Sequence, residues 1–178
     1  NVVEMSVTGL ALDASSRSPI VLLRDPSGRR QVPIWIDHAQ AHNIMVGFQE
    51  KNPQRPLSHD LMMALLEAGS LKLEKVIIHS IEASAFQAVL KLIRLHQENA
   101  PEPSKKLIEI EARPSDAIAL AIRAKCAIWM LESVVAEAAI PVDINADEED
   151  QSQFRKFIDE VSPAALIRHL EKKNHKKD

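Results

Sequence analysis

Apolar and polar residues alternate with period two at the start of the chain, where Val3, Met5 and Val7 interleave with Glu4, Ser6 and Thr8. That spacing puts the apolar set on one face of a strand. Two runs of mainly aliphatic residues, Pro19 to Leu23 and Val32 to Ile36, continue the sheet, and Pro26-Ser27-Gly28 supplies a turn between them. At His38 the period lengthens. Ala41, Ile44, Met45 and Phe48 fall on one face of a helix that reaches Gln49, and Asn52-Pro53-Gln54-Arg55-Pro56 breaks it. A second helix is expected at once, with Ser58 as N-cap, Leu57 packed on Met62 as a hydrophobic staple, and Gly69 as its stop. Strands at Leu71 to Ile81 and Ala85 to Leu95 turn near Glu82 to Ser84, and the polar stretch His96 to Lys105 reads as a loop. Strict alternation returns from Leu107 to Glu111, ahead of Pro114. A helix from Ser115 to Lys125 then turns Ile118, Ala119 and Ile122 inward, and a strand Ala127 to Leu131 and a short helix to Ala139 lead to Pro141.

These elements predict an α/β fold, a mixed, largely antiparallel sheet packed with helices, in one domain over residues 2–141. Residues 142–178 form an appendage: the acidic linker Asp147-Glu148-Glu149-Asp150, then Phe154, Phe157, Ile158 and Val161 at helical spacing, and a lysine-rich end beyond Pro163.

Composition narrows the class. A chain of 178 residues with 46% hydrophobic content builds a core without disulfide or metal staples. Its single cysteine, Cys126, lies in an apolar run and reads as a buried structural thiol in a reducing compartment. Nothing approaches the roughly 20 apolar residues of a membrane span, nor a signal peptide, so a cytoplasmic protein without membrane partners is expected. The formal charge of −3 excludes a surface that grips nucleic acid by bulk electrostatics, and 3% aromatic residues leave little for stacking platforms. Any nucleic-acid site must be local.

The run Ile108-Glu109-Ile110-Glu111-Ala112-Arg113-Pro114-Ser115-Asp116-Ala117-Ile118-Ala119-Leu120-Ala121 resembles the signature of the bifunctional nuclease (BFN) family. Three segments agree in order and spacing: the opening hairpin Leu10 to Asp13 with Pro19 to Leu22, the strand Pro33-Ile34-Trp35-Ile36, and Arg55-Pro56-Leu57-Ser58-His59-Asp60-Leu61. The resemblance covers residues 2–141 and extends weakly to the Phe154 to Pro163 segment. It implies an α/β domain, a homo-oligomer, and nuclease activity on RNA and DNA. One departure stands out: after Ile36 the family often has Gly and, three residues on, Glu, where this chain has Asp37 and Gln40.

Phosphodiester hydrolysis commonly uses carboxylates to hold a divalent metal, a base, and a cation that steadies developing charge. Glu109, Glu111 and Asp116 are the candidate ligands for Mg²⁺ or Mn²⁺, and no organic cofactor is expected. His59, Asp60, Arg113 and Asp116 are the candidate catalytic residues, and Arg55, Arg113 and Ser115 the candidate substrate contacts. The same residues have a plain structural reading, in which Ser115 caps the helix, Asp116 and Asp60 complement helix dipoles, His59 packs, and the glutamates face solvent. His38 and His42 share a helix face without a third ligand nearby, and His79 reads as structural. The leading expectation is a metal-assisted nuclease of low sequence specificity. The alternatives are a non-catalytic oligomeric scaffold or regulatory module, and a small-anion or nucleotide sensor.

Overall fold

The computed structural model describes residues 1–49, 53–95 and 107–142, with the single positions 152, 153 and 156. The expected loop at 96–105 and most of the tail lie outside the described residues. The elements run β1 (Val2–Leu12), β2 (Pro19–Arg24), β3 (Arg30–Trp35), α1 (His38–Phe48), α2 (Ser58–Ala68), β4 (Leu71–Glu82), β5 (Ala85–Arg94), β6 (Leu107–Ala112), α3 (Pro114–Ala124), β7 (Ala127–Leu131), α4 (Glu132–Ala138) and β8 (Ile140–Pro141). They make an α/β domain on one mixed eight-stranded sheet, in the order β6-β5-β4-β7-β1-β2-β3-β8. Every described pairing is antiparallel except β4 with β7, which the crossover through β5, β6 and α3 makes parallel.

The first hairpins follow their turn chemistry. Gly28 takes φ 71, and its N–H donates to Asp25 O at 3.0 Å, which lets β2 return as β3. Between β4 and β5, Ala83 and Ser84 both have positive φ, the twist that a two-residue hairpin requires. Neither is glycine, and so the turn is weakly written in the sequence. β1 is shared: Val2 to Met5 pair with β7, Ser6 to Leu12 pair with β2, and a bulge between Val7 and Gly9 interrupts the second register.

The core lies between one sheet face and the helices. α3 is its centre, with Ala117, Ile118, Ala119, Leu120 and Ala121 all buried, and it packs on α1, α2, β4, β5 and β7. Its alanines permit close approach, and Gly47 of α1 meets it where a Cβ would come within 3.0 Å of Arg123 Nη1. α1 also packs on β2 and α2 on β4, so these helices flank α3. No helix among the described residues is long and apolar enough to cross a membrane.

Several local expectations are corrected. The N-cap of α2 is Leu57 rather than Ser58, and the reciprocal bond comes from Asp60, whose carboxylate accepts the Leu57 N–H at 2.8 Å. Met62 is exposed rather than stapled, and Phe48 is exposed at the end of its helix. Gly69 ends α2 with φ −83, and the left-handed residue is Ser70. Arg113, not Ser115, occupies the N-cap of α3 and makes no side-chain cap bond, while Ser115 is buried in the first turn. Cys126 is only partly covered, and that burial pushes its thiol up to about 11.

Candidate functional site

Two of the motifs meet across the α2–α3 contact. His59 Nε2 lies 2.9 Å from Asp116 Oδ1, and it carries the proton because a carboxylate only accepts. The other Asp116 oxygen accepts from Arg113 Nε at 2.9 Å. Burial alone would raise the Asp116 carboxyl, but the bonds from Arg113 and His59 outweigh it and hold the group below its ordinary value. Asp116 in turn lifts Arg113 further above its already high range. The His59 side chain is only 6% exposed, and its Nδ1 has no hydrogen-bond partner among the described residues.

A second bridge runs parallel to the first. Asp60, already accepting the Leu57 amide, takes Arg123 Nε on its other oxygen at 2.8 Å, and Arg123 Nη1 donates to Ala119 O at 3.0 Å. Burial works to raise Asp60, and the Arg123 and Leu57 bonds overcome it, so its carboxyl also sits low. Arg123 escapes sequence reasoning because a cation in the last turn of a helix already has a dipole role.

Arg113 is the exposed end of this chain of contacts, with 69% of its side chain open. Asp116 engages Nε, and the two terminal NH₂ groups of this mostly exposed side chain are further donors. Pro114 has no N–H to offer at the first helical position and the N-cap side chain makes no cap bond among the described residues, so the start of α3 is uncapped beside the arginine that Asp116 holds. The cleft in front of it, about 520 Å³, is lined by Arg113, Ser115, Glu111, Gln40, Trp35 and Phe86, among others. Trp35 is half exposed and anchored by its indole N–H, which donates to Asp13 Oδ2 at 3.0 Å. Gln40 completes a reciprocal cap: its amide N–H donates to Asp37 Oδ1 at 2.7 Å, and its side-chain oxygen accepts the Asp37 N–H at 2.9 Å. The Asp37 and Gln40 departure thus builds the start of α1, a job that Gln does as well as Glu.

The carboxylates do not converge as a metal set. Ile108 and Ile110 pair with Leu92 and Leu90, so Glu109 and Glu111 share the other face of β6. Glu109 is an ion-pair partner of Lys91, and both Asp116 oxygens are engaged. Among the described residues no three His, Cys, Asp or Glu side chains group as ligands, so Glu109, Glu111 and Asp116 do not form one ligand set. Of the three, only Glu111, at the strand end, reaches the cleft. Arg55 is exposed before α2 and does not line the cleft. His79 is tied to Ser80 Oγ at 3.1 Å within β4.

The fold and this strand-to-helix cleft define an α/β domain with an exposed arginine at the start of α3. Residues 21–143 match the model of the bifunctional nuclease domain. Two relatives, both called uncharacterized proteins, come from Mycobacterium tuberculosis strains CDC 1551 and H37Rv. Each is 33% identical over 168 residues, spanning 90% of this chain and 95% of the relative. The chain belongs to the bifunctional nuclease domain family.

Proposed function

We propose that the protein is a nuclease cleaving RNA or DNA with low sequence specificity, and that the cleft at the start of α3 receives the scissile phosphate. The observation that carries this reading is the uncapped α3 N-terminus beside an arginine whose Nε is pinned by Asp116. Amides and guanidinium together suit a phosphate, and they strengthen as charge builds on its oxygens. Glu111 is the carboxylate on the same cleft and takes the proton from the attacking group. Trp35 offers an open ring face to a base, a contact that every base satisfies, in keeping with low specificity. His59 and Asp60 are positioning residues: Asp60, through Arg123, fixes α2 to α3, and His59 holds the Asp116 carboxylate that pairs with Arg113.

A second reading, a nucleotide or small-anion sensor without hydrolysis, is favoured by the burial of His59 and the scattered carboxylates. Labelled RNA and DNA assays with Mg²⁺, with Mn²⁺ and with chelator separate the two. Arg113→Ala is expected to lower kcat/KM at least about tenfold, the scale of one charge-assisted contact to a phosphate. Glu111→Gln is expected to lower kcat while leaving KM near the parent value. A parent protein that binds nucleotide through Arg113 but leaves both polymers intact under every metal condition would establish the sensor instead.

A further inference from the structure

Buried polar side chains find hydrogen-bond partners in a folded chain, and one that does not calls for a reason. Asp25, Gln31, His59 and Ser115 are the buried polar residues among those described. Asp25 accepts from Ser27 and Arg30, Gln31 accepts from Arg24, and His59 bonds Asp116. Ser115 is 4% exposed, and its hydroxyl makes no hydrogen bond among the described residues. Helix capping does not account for it, because Arg113 holds the N-cap of α3 and Ser115 stands two residues inside. Ser115 nevertheless lines the cleft together with Arg113 and Glu111.

We infer that the Ser115 hydroxyl is a phosphate contact, donating its proton to a non-bridging oxygen of the group that Arg113 holds. This rests on the reading of the cleft as a phosphate site. A hydroxyl turns to suit its acceptor and, being neutral, does not repel an anion as a carboxylate does. Elsewhere on the cleft wall the Gln40 side-chain oxygen is committed to the cap of α1, and the Glu111 carboxylate only accepts. Arg113 supplies charge from the exposed rim, whereas Ser115 supplies a donor from a buried wall, where a bond to an ionised partner is stronger than in water. An unpartnered buried hydroxyl destabilises the free protein, and a chain retains such a group where its function uses it. Stability and binding are therefore opposed at this position: the hydroxyl weakens the fold and strengthens the grip on phosphate.

Ser115→Ala is expected to raise the thermal midpoint by about 2–4 °C and to lower affinity for adenosine 5′-monophosphate about tenfold, the loss of one hydrogen bond to a charged group. Adenosine, which lacks the phosphate, should bind parent and variant alike. Calorimetric titration of the full chain in chelator reads both affinities, and a thermal scan reads the midpoint. A variant that loses stability puts the hydroxyl to work in the fold and overturns the assignment. So does a variant that binds adenosine 5′-monophosphate as the parent does, because its hydroxyl is then satisfied by solvent. Arg113→Ala separates these outcomes from failure of the cleft itself: affinity lost there but kept in Ser115→Ala removes Ser115 alone, whereas a parent that binds no adenosine 5′-monophosphate removes both. Binding that responds to Ser115 in a protein that leaves RNA and DNA intact supports the contact and rejects hydrolysis.

Discussion

Asp60→Ala is expected to destabilise the protein by about 3–5 kcal/mol, the cost of leaving a buried cation without its partner. Arg123 is 8% exposed, and one of its terminal nitrogens has no hydrogen bond among the described residues, so the Asp60 carboxylate is the main compensation described. The same substitution uncaps α2 by freeing the Leu57 amide, which adds about 1 kcal/mol in typical helices. Denaturant titration of single and double variants measures the effect. Replacing both members, as Asp60→Ala/Arg123→Met, should recover a large share of the loss, because an apolar side chain tolerates the site where an unpaired guanidinium does not. A double variant no more stable than Asp60→Ala would show that the pair matters for some other reason.

Asp116→Ala is expected to cost about 2–4 kcal/mol and, on the proposed nuclease reading, also to lower cleavage, since one carboxylate serves the buried His59 and the exposed Arg113 at once. Asp116→Asn keeps the shape and isolates the charge. Asp116 sits below its ordinary value in the folded protein, so in that window the unfolded chain binds more protons and stability rises with pH. Its contribution is complete above the unfolded carboxylate value near 3.9 and is lost as pH falls through the lower folded value. Asp60 behaves in the same sense. The Asn variant should therefore show a shallower loss of stability on acidification, and an acid limb identical to the parent's would remove Asp116 from the account.

Much of the fold was legible because its elements obey period and punctuation. The strand boundaries around Pro19 and Ala127, and the inward set of Ile118 and Ala119, fall where alternation and helical spacing put them. What escaped depended on partners distant in sequence. Ser58 and Ser115 look like caps because of their residue type, but the chain enters both helices one or more residues earlier, with Leu57 and Arg113 at the cap positions. Sequence spacing put Glu109, Glu111 and Asp116 within reach of one another, and only the sheet's facing rule separates the first two from the third. The His59 to Asp116 contact joins residues 57 apart, which no local pattern announces, although both motifs were singled out. Arg113 as the exposed cation at a helix start was readable because its neighbours Pro114 and Asp116 set its surroundings locally.

The walls of the cleft come from places far apart in the sheet. Trp35 ends β3, whereas Phe86 follows the β4–β5 turn, and β4, β7, β1 and β2 lie between β3 and β5. A flat sheet would hold these walls too far apart to face one another, so the cleft exists only because the sheet curls. The bulge between Val7 and Gly9, in the strand that passes from one neighbour to the other, is a point of added bend on that path. The width of the cleft is thus gauged in the middle of the sheet, by a strand that lines none of it.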